Sequence, residues 1–556
     1  MIKQIVPKDF IGRASSALLT HFRELLFGEN YAGASFSALE RNNSNMLRRR
    51  TATDIMQGKN IGDLPDWWSD ARFAQQYFTG TNPTTIRLAD SIWIERFRKA
   101  AEAQSGHAKA AADFLASADA GSLYIQDYSY YRKAVGAKED AKMTAGTGDE
   151  TKWCAAPVAL FHLQDSGQLH PIGIVIDYII DMTHSVTIFN KRLSAVEPGS
   201  AKEAETLIAE KNDWPWRYAK QVVQMADWCL HEIIVHLTWT HMMEEATIVA
   251  GNRAFQVNHP VFRLLEPHWF RTLPINAGAR NVLVPSIIFD LIGMHDEQPY
   301  DFIKYHYKEF NWIERYVPRD LEKRGFPLKD LDNPKFKNYA YGRNVILMWD
   351  AIREFVQKML DERYPYDRDV EDDRQIAAWC QECQGPGQIP TFPTIKTRDQ
   401  LFDAVTMSIH IASPQHTAVN YLQNYYQVFI PSKPPALYTA PPTSLEQLNT
   451  YIEADLLRSL PVGHQRDWLL AAHIPWLLSF KTAKESSLLE YSISLYNLVR
   501  KSEDATDRQT KAIATQFYGK LLELGKVFER HSNEMTKSTI PYTVMNPATT
   551  AVSILI

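Results

Sequence analysis

Residues 231–246 read HEIIVHLTWTHMMEEA and place His231, His236 and His241 five residues apart in an apolar, helix-forming segment. Five residues of an ordinary α-helix turn through about 500°, so the imidazoles of His236 and His241 would point about 140° apart. A wider, π-type turn would bring both rings onto one face, and such turns are frequent at functional sites. The segment therefore predicts a long helix with a π-helical irregularity near residues 233–243.

A second cluster lies at QHTAVN (residues 415–420), and the chain ends in the apolar tail AVSILI. His416 and Asn420 are four residues apart, so both side chains lie on one face of an ordinary helix. Ile556 carries the terminal carboxylate, which is costly to bury in an apolar tail unless a partner compensates its charge. Imidazole, amide and carboxylate form a mixed nitrogen and oxygen set that suits iron, manganese or zinc. The sequence therefore predicts a metal site.

A zinc site of a common type does not fit. The zinc-hydrolase motif HExxH places its histidines four residues apart, whereas His231 and His236 are five apart. Cys380 and Cys383 form a single CxxC pair with no second pair. Two thiols near a helix end are favoured there over a structural zinc site.

Composition and charge exclude several classes of protein. The 556 residues carry a formal net charge of -5, which gives no indication of a nucleic-acid partner. No apolar run reaches the 18 residues of a transmembrane helix, and the N-terminus has no clear signal peptide, so a cytoplasmic location is expected. Residues 10–27 show helical spacing of apolar side chains. A helix packed on the core is favoured there, and peripheral membrane contact is the alternative.

Several motifs resemble one enzyme family in order along the chain. They are DWWSDARFAQQYFTGTNPTTIRL (66–88), LYIQDY (123–128), APVALF (156–161), WRYAKQVVQMAD (216–227) and NHPVFRLLEPHWFRTLPINAGAR (258–280). With the two histidine clusters and the terminal isoleucine, they resemble the catalytic domain of lipoxygenases, the non-haem iron dioxygenases of polyunsaturated fatty acids. The shorter, bacterial type of lipoxygenase is the nearest likeness.

The resemblance implies a mainly α fold. It implies a large single-domain helical bundle around a long central helix with a π-bulge, and few short β-strands. Too little chain precedes residue 66 for the N-terminal β-sandwich of many plant and animal members. The expected organisation is an N-terminal helical extension over residues 1–60 and a lipoxygenase catalytic domain over residues 61–556.

The resemblance also implies roles for the clustered polar residues. The imidazoles of His236, His241 and His416 would bind one non-haem iron, with manganese as the second choice of metal. Asn420 would be a weak or optional amide ligand, and the carboxylate of Ile556 would complete the protein ligands. Three further residues would lie just outside the ligand set: His231, Glu232 and Gln423.

The expected substrate pocket involves the segment PINAGARNVLVPSII (274–288). Ala279 occupies the family position where Ala or Gly correlates with product stereochemistry, and Ala implies an S-configured hydroperoxide. Leu283 matches a pocket-wall leucine. Gly278 stands where some animal members have an arginine for the substrate carboxylate, which weakens anchoring at that point. Lys433 matches a basic position of plant members, where it would pair with a substrate carboxylate; a solvated surface lysine is the alternative.

The implied reaction joins a polyunsaturated fatty acid with a 1,4-diene to O2. Fe(III)–OH would remove a hydrogen atom, O2 would add to the resulting radical, and a lipid hydroperoxide would be released. No side-chain general base is expected. Two alternatives stay open. One is a manganese-dependent or hydroperoxide-converting member of the same superfamily, and the other is a non-catalytic lipid-binding protein with a vestigial metal site.

Overall fold

Helices form most of the molecule, as expected from the sequence. The structure is a computed structural model that describes residues 35–50, 54–502 and 504–556. The predicted helix over residues 10–27 and its membrane contact therefore lie outside the described residues. The helix Phe36–Arg49, within the predicted extension, packs on the main core: the Phe36 ring lies 5.7 Å from that of Trp67 and 5.9 Å from that of Trp214.

The principal α-helical segments are Asp70–Thr79, Ser91–Glu102, Ala108–Ser117, Tyr131–Ala134, Glu203–Asn212, Trp214–Leu230, Met243–Ala254, Pro260–Trp269, Thr272–Gly278, Phe289–Leu291, Gln298–Glu309, Val317–Lys323, Ala340–Leu360, Asp367–Glu371, Arg374–Gln384, Arg398–His410, His416–Asn420, Gln423–Gln427, Leu445–Asn449, Glu453–Arg458, Gln465–Leu477, Leu488–Val499 and Ala505–Glu534. Among the described residues, no helix is both long enough and apolar enough to cross a bilayer.

The strands lie in the first third of the chain and are short. They are β1 Arg87–Leu88, β2 Leu123–Asp127, β3 Met143–Ala145, β4 Lys152–Cys154, β5 Val158–Leu163, β6 Leu169–Val175 and β7 Thr187–Phe189. Five of them form an antiparallel sheet in the order β1-β2-β5-β6-β7, and β3 pairs with β4. These two small sheets agree with the expected few strands, and residues 35–50 and 54–86 contain no β-sandwich.

The alternation of side chains along the sheet separates two cores. Leu123 and Ile125 face a smaller core that includes Trp93 and Phe97 of the helix Ser91–Glu102. Tyr124, between them, faces the main core. Successive strand residues point to opposite faces, so the sheet covers the side of the helical bundle with one face and carries its own helices on the other.

The central helix consists of Trp214–Leu230, His231–Met242 and Met243–Ala254, which follow one another without interruption. Its middle part, His231–Met242, is π-helical, which confirms the predicted irregularity. Every residue from Trp216 to His241 is buried. A helix buried on all sides lies at the centre of a large core, so the first histidine cluster is far from bulk water.

Two further helices contain π-helical segments that the sequence analysis did not predict. The second ligand helix runs as Arg398–His410, Ile411–Gln415 and His416–Asn420, with Pro414 in its π segment. The helix that contains the expected pocket segment, called the arched helix below, runs as Thr272–Gly278, Ala279–Ile288 and Phe289–Leu291, with Pro285 in its π segment. Proline lacks an N–H and clashes with the carbonyl four residues earlier, which disfavours the ordinary α-helical turn at these points.

Candidate metal centre

Three imidazoles from the central and second ligand helices meet in the core. The Nε2 atoms of His236 and His241 lie 3.3 Å apart. The Nε2 atom of His416 lies 3.4 Å from that of His236 and 3.1 Å from that of His241. A metal ion about 2.1 Å from each nitrogen, with ligand angles of about 90–110°, places neighbouring nitrogens about 3.0–3.4 Å apart. The three rings therefore have the spacing of three ligands to one metal ion.

Burial keeps these three imidazoles neutral. It lowers the pKa of His236 to about 4 and that of His241 to about 3. Burial also lowers the pKa of His416 well below its usual value. A metal binds the neutral imidazole, so no proton has to be removed from these rings at neutral pH. The donor set therefore fits a divalent transition metal.

Asn420 and Gln423 lie beside the triad on the same chain segment as His416. Asn420 is fully buried one helical turn after His416, and its Oδ1 accepts a hydrogen bond from Gln423 Nε2 at 2.6 Å. A carbonyl oxygen has two lone pairs, so this contact leaves one available to a metal. Gln423 thereby orients the amide that the resemblance names as an optional ligand.

The C-terminal tail is attached to the second ligand helix. The Ala551 N–H donates to Thr417 Oγ1 at 3.1 Å, and the Ala551 carbonyl accepts from Ser413 Oγ. Ile556 is half-buried at the end of this tail. The tail is thus held by two residues that lie close to His416 in the chain, one before it and one after it. The role of Ile556 as a ligand stays a prediction.

His231 and Glu232 lie on the other side of His236. His231 stacks on His236 with 5.6 Å between ring centroids, and its Nδ1 lies 3.0 Å from Asn82 Oδ1. The Glu232 carboxyl lies 3.8 Å from His231 Nε2 and 3.9 Å from His236 Nδ1. Burial raises the pKa of Glu232 to about 8, so its carboxyl is protonated at neutral pH.

His231, Glu232 and His236 form a second group of potential metal ligands, in addition to the triad. A metal bound there would have to deprotonate a carboxyl that the core keeps neutral. The triad His236, His241 and His416 needs no such step, and it is the better site. His231 and Glu232 therefore lie beside the triad, and their role just outside the ligand set stays a prediction.

The predicted pocket residues of the arched helix are half-buried. Ala279 begins the π segment, and Leu283, one turn later, packs against the main core. A Cβ atom added to Gly278 would meet no other atom within 4 Å. The backbone at Gly278 therefore faces open space, and the missing side chain leaves room rather than avoiding a clash.

Lys433 is not where the sequence analysis expected it. Its side chain is only 1% exposed and forms an ion pair with Asp227, which is equally buried; its Nζ also donates to Thr81 Oγ1 at 3.2 Å. The alternative of a solvated surface lysine is therefore wrong. Its charge is already compensated in the core by a residue of the central helix, so pairing with a substrate carboxylate would require breaking a buried ion pair.

Sequence reasoning missed several residues that hold the centre in place. Asn276 Oδ1 lies 2.7 Å from His241 Nδ1. His268 Nδ1 lies 2.8 Å from the carbonyl oxygen of Val552, a contact between the core and the tail. Both partners are distant in sequence. The available signals were an asparagine in the motif INAGAR and a histidine in the motif EPHW.

Comparison with known proteins identifies the family. A family model described as lipoxygenase matches residues 146–547, a range that contains the whole histidine triad. The chain belongs to the lipoxygenase family. It is therefore a dioxygenase, an oxidoreductase, and its histidine cluster indicates a catalytic metal.

Individual relatives agree with this assignment. A manganese lipoxygenase of Pleurotus sapidus is 43% identical over 510 residues, which cover 90% of this chain and 76% of that protein. A crystal structure of a fungal lipoxygenase from Fusarium graminearum has a TM-score of 0.89 at 43% identity and covers 95% of this lipoxygenase and 86% of that chain. A linoleate 9/13-lipoxygenase of Pseudomonas aeruginosa is 31% identical over 404 residues, covering 70% of this chain and 54% of that protein.

These relatives bear directly on the choice of metal. From the sequence, iron is the first expectation and manganese the second. A relative with 43% identity is named a manganese lipoxygenase. Family membership therefore supports a catalytic metal and the oxidation of fatty acids, but it does not support iron over manganese.

Proposed function

We propose that this lipoxygenase is a manganese enzyme that converts polyunsaturated fatty acids of the linoleate type into lipid hydroperoxides. The observation that carries the proposal is the convergence of three neutral imidazole nitrogens within 3.1–3.4 Å of one another. Manganese is favoured over iron because the Pleurotus relative is named for it. Linoleate is favoured as a substrate because the Pseudomonas relative is named for it.

The residues of the chain act by holding the metal and by excluding water. When bound, the metal supplies a one-electron redox couple for hydrogen-atom removal from the substrate. His236, His241 and His416 present their Nε2 lone pairs, and burial keeps protons off these nitrogens. Asn420 and the Ile556 carboxylate are proposed as the remaining ligands. No side-chain general base is required.

We propose an S-configured product on the basis of Ala279. Its methyl group lies at the start of the π segment of the arched helix, half-buried beside the open space at Gly278. A methyl group there would obstruct oxygen at one end of the pentadienyl radical. This steric argument, together with the family pattern at this position, supports the S configuration.

The test is to mix purified protein with linoleate in aerated buffer and to follow conjugated-diene absorbance, with metal analysis of the same preparation. Preparations loaded with manganese and with iron are compared at equal protein concentration. The proposal predicts a rate of diene formation proportional to bound manganese. Chiral separation of the reduced products then reports their configuration.

The other outcomes are equally informative. Diene formation proportional to iron, with an inactive manganese form, would contradict the choice of metal while leaving the reaction intact. No diene from fully metal-loaded protein would contradict dioxygenation of linoleate. It would favour the lipid-binding alternative if the fatty acid still bound.

A further inference from the structure

The contacts of Asn276 define a chain of polar groups from the metal centre to the surface. Asn276 is 3% exposed. Its Oδ1 lies 2.7 Å from His241 Nδ1, and its Nδ2 donates to the carbonyl of His241 at 2.8 Å and to Glu245 Oε2 at 2.9 Å. Glu245 in turn forms an ion pair with Arg280 of the arched helix. One amide thus contacts a predicted metal ligand twice and a carboxylate once.

This arrangement allows only one orientation of the amide. A backbone carbonyl cannot donate a hydrogen bond, and Glu245, paired with Arg280, acts as an acceptor as well. Both N–H groups of Asn276 must therefore face these two oxygens. The Oδ1 atom is then left to face His241 Nδ1, and an amide oxygen can only accept.

The orientation of Asn276 dictates the tautomer of His241. The Nδ1 atom of the neutral ring must carry the proton in order to donate to Oδ1, so the lone pair resides on Nε2. That nitrogen is the one that lies 3.1 Å from His416 Nε2 and 3.3 Å from His236 Nε2. With the opposite tautomer, an N–H would point into the site and no lone pair would be presented to a metal.

We propose that Asn276 is a positioning residue that fixes the tautomer and ring orientation of His241, and that the ion pair of Glu245 with Arg280 keeps Asn276 in the required orientation. The inference rests on the proposed role of His241 as a metal ligand. Outer partners of ligating histidines commonly act in this way, by fixing the ring and its proton. Here the residue that contacts His241 is Asn276, and Asn276 is held in turn by the ion pair of Glu245 with Arg280 near the surface.

A second ion pair near Glu245 and Arg280 provides a control for the test. Glu245 and Arg280 border a mainly apolar groove of about 900 Å³, which Arg253 and Glu382 also border. Arg253 and Glu382 form a similar ion pair at 3.2 Å, in which the side chains are 59% and 31% exposed. The side chains of Arg280 and Glu245 are 45% and 21% exposed, so the two pairs have comparable access to solvent. Among the hydrogen bonds of the described residues, Asn276 contacts Glu245 and does not contact Glu382.

The test compares metal binding by the full-length protein and its variants. Metal-free wild type, Asn276→Leu, Glu245→Gln and Glu382→Gln are titrated with Mn²⁺, and the electron paramagnetic resonance signal of the bound ion is recorded. Asn276→Leu should weaken Mn²⁺ binding by about 10–100-fold, the usual effect of losing such a partner. Glu245→Gln should weaken it several-fold because a glutamine amide can donate and no longer dictates the orientation of Asn276. Glu382→Gln should match wild type.

The outcomes separate the inference from the proposed function. Wild-type affinity and an unchanged resonance signal in Asn276→Leu would overturn the positioning role. If Asn276→Leu does not fold, the two Glu→Gln variants provide the test. Equal Mn²⁺ affinity in Glu245→Gln and Glu382→Gln would overturn the inference, whereas weaker Mn²⁺ binding in Glu245→Gln alone would support it. A wild-type protein that binds neither Mn²⁺ nor Fe²⁺ would instead contradict the metal site itself and, with it, the role of Asn276.

Discussion

The central helix and the second ligand helix bring histidines to the same point by different means. The central helix supplies His236 and His241 from one π-helical segment, in which every residue from His231 to His241 is buried. The second ligand helix supplies His416 immediately after a five-residue π segment that contains Pro414. One ligand pair thus depends on an extended π turn, and the other ligand depends on a short irregularity at a proline.

The two helices also differ in what orients the rings. His241 has its Nδ1 atom fixed by Asn276, whereas His416 Nδ1 has no hydrogen-bond partner among the described residues. The orientation of His416 therefore comes from packing in the core, where its side chain is buried. The candidate metal centre therefore has a hydrogen-bonded side, at His241 and Asn276, and a packed side, at His416 and the tail. We expect substitutions on the two sides to affect metal binding and activity to different extents.

The largest effect is expected from removing a ligand on either side. His241→Ala and His416→Ala should each reduce metal affinity by more than the 10–100-fold that is typical of losing an outer partner, and should abolish diene formation. Metal content is measured by elemental analysis after dialysis, and circular dichroism controls for folding. A folded variant that retains one equivalent of metal and full turnover would remove that histidine from the ligand set.

Deletion of Ile556 tests whether the C-terminal tail contributes a metal ligand on the side of His416. The deletion removes the predicted terminal ligand and leaves the contacts of Ala551 with Thr417 and Ser413 intact. We expect loss of activity and of most bound metal, with folding preserved. The measurement is the rate per bound metal. Normal metal content with full turnover would contradict a ligand role for the terminal carboxylate.

A carboxyl group that joins the two helices predicts a pH effect on stability. Glu244 of the central helix accepts hydrogen bonds from Ser408 of the second ligand helix at 2.6 Å and from Trp269 at 2.7 Å. Burial raises its pKa from 4.5 to about 8, so the folded state binds the proton more tightly than the unfolded state does. This group therefore stabilises the fold at low pH, and its contribution is lost as pH rises from about 4.5 through about 8.

Glu244→Gln keeps the shape and removes the titration. Between about pH 5 and about pH 9 the free energy of unfolding of the wild type should fall by more than that of the variant, by an amount on the order of a few kcal/mol. Chemical denaturation of the metal-free proteins at both pH values measures the difference. Identical pH dependence in the two proteins would show that the junction between the helices does not depend on a neutral carboxyl.

The smallest effect on rate is expected at the arched helix. Ala279→Gly removes the methyl group proposed to block one end of the radical, so the product should shift from the S towards the R configuration with little change in total diene. Gly278→Ala is the matched control because an added Cβ atom meets nothing within 4 Å. Chiral chromatography of the reduced products measures both variants. An unchanged S product from Ala279→Gly would contradict the steric role.

The sequence predicted the parts of the site whose spacing is constrained by chemistry. Two histidines five residues apart can serve one metal only through a wider turn, so the π segment around His236 and His241 followed from their spacing. The π segments at Ile411–Gln415 and Ala279–Ile288 have no such repeated ligand, and only a single proline marks each of them. One proline also fits a kink or a helix end, which left these segments unpredicted.

Long-range pairing explains what the sequence could not reveal. Lys433 is followed by a proline-rich stretch that favours an exposed connector, yet the chain folds it onto Asp227 in the core. Asn276 and His241 are 35 residues apart, and nothing local marks their contact. The metal is not encoded in the spacing either, because iron and manganese accept the same nitrogen and oxygen ligands.

We propose that His416 from the packed side and His236 and His241 from the central helix bind one and the same metal ion. The most direct test is a crystal structure of the manganese-loaded protein, with anomalous scattering used to locate the ion. We expect one ion about 2.0–2.2 Å from the Nε2 atoms of His236, His241 and His416. An ion held instead by His231, Glu232 and His236, with His416 unbound, would contradict it.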